Sequence, residues 1–200
     1  MEKEVLAEIH RYWFGELNSP DDFDRDRIRQ WFRQSDDMDR HIRETYGPLL
    51  REAASREWNL ADLSREEAIG LVVLFDQFPR NIFRTSGEAF AYDAKALAIA
   101  RLLVNGGVQR FFWIERLSLS LPFQHNEDVA DQDYAVLLSA DGAVNGPESM
   151  REASRIYLDF ATKHRDIIRK FGRYPHRNAM LGRQSTPEEE AFLKDHGRGF

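Results

Sequence analysis

Apolar residues recur along this chain at helical rather than strand spacing. Val5, Leu6, Ile9, Trp13 and Phe14 fall on one face of a first helix. Met38, Ile42, Leu49 and Leu50 anchor a second stretch over 36–58. Pro48 is expected to break or kink it, because proline removes a helix hydrogen bond and crowds the preceding turn. Ser64-Arg65-Glu66-Glu67 reads as a capping box. The segment after it, 69–78, is apolar nearly all round, which predicts a helix packed on several sides at the centre of the fold. Ser86-Gly87-Glu88 opens the next segment and Asn105-Gly106-Gly107 closes it. A further stretch, 111–121, runs up to Pro122. Asn126 is expected to cap a helix that reaches about Ala140 and stops at Asp141-Gly142. Residues 148–171 are long and strongly periodic, and Thr186-Pro187-Glu188-Glu189 gives a second capping box with proline at the first helical position. No segment combines strand alternation with hairpin turn signals. The pattern predicts an all-α chain of about eight helices. No linker or low-complexity tract divides it, so residues 1–200 are read as a single domain with one minor seam, a loop at 141–147.

Composition narrows the class of function. A hydrophobic fraction of 42% with 31% charged residues is that of a soluble globular protein. Fourteen Phe and four Trp point to a core filled largely by aromatics. The absence of cysteine excludes disulfides, a thiolate nucleophile and cysteine-ligated zinc. The first residues are charged and do not resemble a secretory signal, and no apolar run approaches a membrane span. A cytoplasmic protein without membrane partners is expected. A net charge of −6 argues against nucleic acid as a partner. That charge is unevenly placed: 21–39 carries seven Asp, whereas 163–183 carries seven Lys or Arg against the single acid Asp166. Such blocks are read either as solvated faces or, for the basic one, as an anion site.

Two segments repeat one frame. Phe75-Asp76-Gln77-Phe78-Pro79-Arg80-Asn81 and Phe171-Gly172-Arg173-Tyr174-Pro175-His176-Arg177-Asn178 share Phe-x-x-aromatic-Pro, basic residues and then Asn. Each is expected to set polar side chains just past a helix-ending proline. Asp76 closes an otherwise apolar helix, where burial and the negative end of the helix dipole both disfavour a charged carboxylate unless a cation compensates. Arg80, Arg173 or Arg177 would serve. Asp76 is therefore either half of a structural clamp or an acid–base or ligand carboxylate. Arg173, His176, Arg177 and Arg183 around Tyr174-Pro175, with Asn178 following, suit a carboxylate or phosphate, or else cap neighbouring helix carbonyls. His164 lies on the stripe of Tyr157, Phe160, Ile167, Ile168 and Phe171, where a satisfied core histidine is the plain reading and a base paired with Asp76 or Glu127 the functional one. In Pro122-Phe123-Gln124-His125-Asn126-Glu127-Asp128, helix capping accounts for Asn126, Glu127 and Asp128 and leaves His125 over. The histidine and acid spacings match no standard metal motif, and no phosphate loop, nucleophile elbow or dinucleotide fingerprint is present, so neither metal nor cofactor is expected. Arg110-Phe111-Phe112-Trp113 is read as core rather than a nucleic-acid platform.

Several segments together resemble a bacterial family known as domain of unknown function 924. The resemblance rests on Tyr12-Trp13-Phe14, Trp31-Phe32, the stretch 36–46, the first Pro-Arg-Asn block, Ala89-Phe90-Ala91-Tyr92-Asp93, residues 164–178, Leu181-Gly182-Arg183 and Ser185-Thr186. It spans nearly the whole chain. It implies an all-α fold with a tetratricopeptide-like, right-handed helical arrangement, and it brings no activity with it. Where the family's middle motif has His-Ser-Glu, this chain has His125-Asn126-Glu127. Asn keeps the capping role of the serine but removes a hydroxyl nucleophile.

Two functional readings follow. In the first, a helical scaffold binds an acidic partner segment or a small anionic metabolite. Arg80, Arg173, His176, Arg177 and Arg183 supply charge, Asn81 and Asn178 orient the turns, and Asp76 holds the arginines. In the second, a small hydrolase-type enzyme acts on a phosphate- or carboxylate-bearing metabolite. His125 or His164 is the base beside Asp76 or Glu127, and the arginines stabilise developing negative charge.

Overall fold

The computed structural model describes residues 1–31, 33 and 35–196; Phe32, the second half of the Trp31-Phe32 pair, lies outside them. The described residues are helical, with short 3₁₀ turns and no strand. In chain order the helices are α1 (Glu4–Phe14), α2 (Arg25–Trp31), α3 (Asp36–Ser55), α4 (Arg65–Asp76), α5 (Phe78–Ile82), α6 (Asp93–Asn105), α7 (Trp113–Gln124), α8 (Val129–Asn145), α9 (Arg151–Phe171) and α10 (Pro187–His196). The all-α expectation holds: apart from the short α2 and α5, every helix runs ten residues or more. No helix among the described residues is long and apolar enough to cross a membrane.

The expected central helix is α4. Every residue from Ala68 to Asp76 is buried, and the helix packs on α1, α5, α6 and α7. Its start carries the anticipated capping box, with Ser64 Oγ accepting from the Glu67 amide and Glu67 accepting from the Ser64 amide. Gly70 lets α1 come close: a Cβ there would sit 1.9 Å from the Leu6 carbonyl oxygen. The main core joins residues from α1 to Tyr157 of α9. A smaller cluster of Ile167, Ile168 and Tyr174 is completed by Phe171 and Phe192.

Four boundaries differ from the sequence reading, each for a local reason. Helix α3 runs through Pro48 to Ser55. Pro48 and Glu44, whose carbonyl loses its partner, both lie on the exposed face, where the freed group is open to solvent. Helix α7 likewise continues past Pro122 to Gln124. The cap of α8 is Asp128, which accepts from the amides of Ala130 and Asp131, while the Asn126 side chain turns to the Asp131 carboxylate. Helix α8 also continues through Asp141-Gly142 to Asn145, which leaves only Gly146-Pro147 where a seven-residue loop is expected. Gly142 serves packing rather than termination, since a Cβ there would meet Leu117 and Ser154 at 3.2 Å.

The two repeated prolines begin elements instead of ending them. Pro79 lies in the first turn of α5, and Pro175 opens a 3₁₀ turn after Gly172, whose φ of +69° ends α9. Gln77 keeps helical dihedrals between α4 and α5, and of the polar residues in the two frames Asp76, Arg177 and Asn178 are buried while the others are partly exposed.

Candidate functional site

Asp76 ends α4 fully enclosed, at 1% exposure. One carboxylate oxygen accepts from His125 Nδ1 at 2.7 Å and the other from Gln77 Nε2 at 2.5 Å. Arg80, one turn on, donates to the Asp76 carbonyl and stands 3.9 Å from its carboxylate. Burial alone would raise the Asp76 pKa, but His125, Arg80 and these hydrogen bonds together hold it below the usual carboxylate value. An ionised carboxylate only accepts, so His125 Nδ1 carries the hydrogen and Nε2 keeps its lone pair. Burial and the neighbouring Arg80 push the His125 pKa down despite Asp76, which leaves the imidazole neutral and basic at Nε2.

His125 lines a cavity of about 150 Å³ with Trp31, Gln77, Leu121, Gln124, Tyr157, Phe160 and His164. His164 donates from Nδ1 to the Phe160 carbonyl at 2.8 Å, one turn back in α9. Burial drives its pKa down to about 4, so it too is neutral, and its remaining basic atom is Nε2. Its ring also packs edge-on against Tyr174. The cavity thus has aromatic and aliphatic walls, two amides and two neutral imidazoles, one of them oriented by a buried carboxylate. That set can accept a proton from a bound hydroxyl, amide or water.

Each of the four arginines of the anion-binding expectation meets a carboxylate. Arg80 grips both oxygens of Asp93 at 2.8 and 3.0 Å, and Arg177 reaches the same carboxylate at 3.3 Å. Arg177 is sandwiched between Phe90 and Tyr174, 4.4 and 4.7 Å from the two ring centroids. Arg183 forks onto Glu127 at 2.6 and 2.9 Å, and Glu127 also accepts from the Tyr174 amide. Arg173 forks onto Glu189, whose pKa falls to about 2 under that contact. All seven basic residues of 163–183 meet a carboxylate. The asparagines tie helices together: Asn81 donates to Asp39 of α3, and Asn178 to Glu189 of α10 and to Ser185. His176 packs on Tyr174, and burial with Arg177 nearby lowers its pKa to about 4.

The structure therefore joins Asp76 to His125 with His164 nearby, and gives Glu127 to Arg183 instead of to a histidine. Asp93, Gln77, Gln124 and Trp31 were not singled out in the sequence. Asp93 had a signal, because two arginines in apolar surroundings need carboxylates and it closes one of the family-like segments. Tyr157 and Phe160 have the spacing of core residues, because a residue lining a cavity shares the helical period of one filling the core. A second buried polar group also escaped the sequence reading: Glu115 joins His10, Arg65 and the Phe112 amide, tying α1, α4 and α7 together. No group of three or more metal-binding side chains occurs among the described residues.

An all-helical protein with a buried carboxylate–imidazole pair at the wall of a small cavity is the class that the fold and site define. The family model of bacterial proteins of unknown function called DUF924 matches residues 9–197, and the chain belongs to that family. A solved structure of a protein of unknown function from Agrobacterium tumefaciens, ATU0120, is similar at 31% identity and a TM-score of 0.77, covering 97% of this chain and 99% of that one. No curated protein matches the sequence.

Proposed function

We propose that this protein is a small cytoplasmic hydrolase-type enzyme in which His125, oriented by Asp76, activates water through Nε2. The observation that carries this reading is the 2.7 Å bond between a buried, ionised Asp76 and a neutral His125 on a cavity wall. The carboxylate fixes the tautomer and steadies the imidazolium that forms when His125 takes a proton. Among the described residues no Ser, Thr or Cys lines the cavity, which favours water over a side chain as the nucleophile. A volume near 150 Å³ holds a group about the size of benzene, and Trp31, Leu121, Tyr157 and Phe160 suit an apolar one. The phosphate or carboxylate of an anionic metabolite would lie outside this cavity, since no Lys or Arg lines it among the described residues.

The test is hydrolysis of a panel of small aryl esters and amides by wild type, His125→Gln and Asp76→Asn. Wild type should turn over at least one of them, with a rate that holds from neutral pH to below the ordinary histidine pKa, because the His125 pKa is lowered. His125→Gln should lose about 10²- to 10⁴-fold. Turnover that never exceeds buffer, or that His125→Gln leaves intact, sinks the proposal. The alternative, an anion or acidic segment held by Arg80, Arg173, His176, Arg177 and Arg183, has less support, since each of the four arginines already meets a carboxylate. A melting-temperature rise with phosphate or a polyglutamate peptide that Arg177→Ala removes would favour it instead.

A further inference from the structure

Among the described residues no charged side chain lines the His125 cavity, and its polar atoms are not equally adaptable. Two of them can only accept a hydrogen. His125 spends its Nδ1 hydrogen on Asp76, and His164 spends its own on the Phe160 carbonyl. Both imidazoles are neutral, so each keeps a lone pair at Nε2. Neither Nε2 has a hydrogen-bond partner, and neither is sealed from solvent. With Nδ1 turned back to the backbone of α9, Nε2 of His164 lies at the far end of the ring. A charge on His125 would lower the His164 pKa, so the two imidazoles are close.

The remaining polar groups impose less. Gln77 and Gln124 each give one Nε2 hydrogen away, to Asp76 and to Ser120 Oγ, and keep a second hydrogen and a carbonyl oxygen. Each amide therefore meets a donor or an acceptor equally well, as does the Tyr157 hydroxyl. The two imidazoles are met only by donors. A water activated by His125 supplies one hydrogen, and the other has to come from the ligand. Burial and the field of Arg177 and Arg80 keep His164 neutral, and that field equally disfavours a cationic donor. Tyr157 and Phe160 add an aromatic wall.

We propose that His164 reads the substrate: its Nε2 takes the N–H hydrogen of an uncharged N-aryl amide, which makes such amides, rather than esters, the substrate class of this site. The reaction is that of the hydrolase reading, on which this substrate class rests. His125 Nε2 takes a proton from water, the hydroxide adds to the amide carbon, and the C–N bond breaks. The leaving nitrogen recovers the proton, and the products are a carboxylic acid and an aromatic amine. An ester offers His164 no hydrogen at the bond to be cleaved.

Protein labelled with ¹⁵N at histidine is titrated with acetanilide and with N-methylacetanilide, whose nitrogen carries no hydrogen. The His164 resonance is the one absent from His164→Phe, which keeps a planar ring against Tyr174. Acetanilide should move the His164 Nε2 resonance in a saturable way and bind about 3- to 10-fold more tightly than its N-methyl analogue, the weight of one hydrogen bond. His164→Phe should erase that preference, and His164→Gln, which keeps an acceptor, should retain it. No preference in wild type, or a preference undiminished in His164→Phe, overturns the proposal. A preference carried by His164 with no compound hydrolysed overturns the hydrolase and leaves the amide site standing. Turnover of aryl esters without the preference overturns the role of His164 alone.

Discussion

Arg80 and Arg177 share Asp93, yet their removal should have unequal effects, and this asymmetry tests whether the polar turns are clamps. Arg80→Met takes away the fork onto Asp93 and the donor to the Asp76 carbonyl. Asp93 is then left with Arg177 alone at 3.3 Å, and Asp76 with one cation fewer. The Arg80 pKa is raised because Asp76 and Asp93 outweigh the burial that would lower it, so its charge is favoured where it stands. Breaking a buried ion pair from one side costs about 3–5 kcal/mol. For a chain of this length, with about 2–4 °C per kcal/mol, the melting temperature should fall by roughly 6–20 °C. Arg177 differs: burial and Arg80 lower its pKa more than Asp93 raises it, so its charge is disfavoured there. Arg177→Met keeps the stem between Phe90 and Tyr174, and Asp93 keeps its fork from Arg80. The cost should be smaller, about 1–2 kcal/mol, because Asp93 keeps a cation and what is lost is chiefly the cation–π contact with Phe90 and Tyr174. Urea unfolding at neutral pH, with the denaturant slope compared across variants, measures both. Equal losses for the two variants, or an Arg80→Met loss below about 1 kcal/mol, would falsify the clamp.

Other expectations are independent of this one. His164 and His176 have folded pKa values near 4 against 6.5 for the free side chain, so between those limits the unfolded chain binds protons that the folded one does not. Stability should therefore fall as pH drops through that window, and His164→Asn should flatten the slope of unfolding free energy against pH. Gly70→Ala drives a methyl into the Leu6 carbonyl and must push α1 off α4, costing about 3 kcal/mol or more by thermal or urea unfolding. Tyr174→Phe removes a hydroxyl that donates to the Gln124 carbonyl and accepts from Gln132. Gln132 keeps the Gln124 and Asn126 carbonyls, so the loss should be only about 1 kcal/mol; a loss above about 3 would mean that those bonds do not hold.

Much of the helical framework was legible residue by residue. The apolar run of α4 marked the buried helix because only a helix covered on several sides tolerates apolar residues all round. Ser64 and Glu67 marked its start. Prolines and glycines misled where local rules met packing: Pro48 costs little when its orphaned carbonyl faces water, and Gly142 lies inside α8 because Leu117 and Ser154 press on it.

Asp76 and His125 were legible as oddities, a carboxylate closing an apolar helix and a histidine left over by helix capping. Their union was not, because 49 positions separate them and no periodicity links α4 to the end of α7. Local sequence determined the helices and the charges each carries, since propensity, capping and amphipathic spacing act over a few residues. Which charge meets which was decided only by tertiary packing. Packing gave each basic residue of 163–183 a carboxylate neighbour and set a neutral imidazole beside an ionised Asp76.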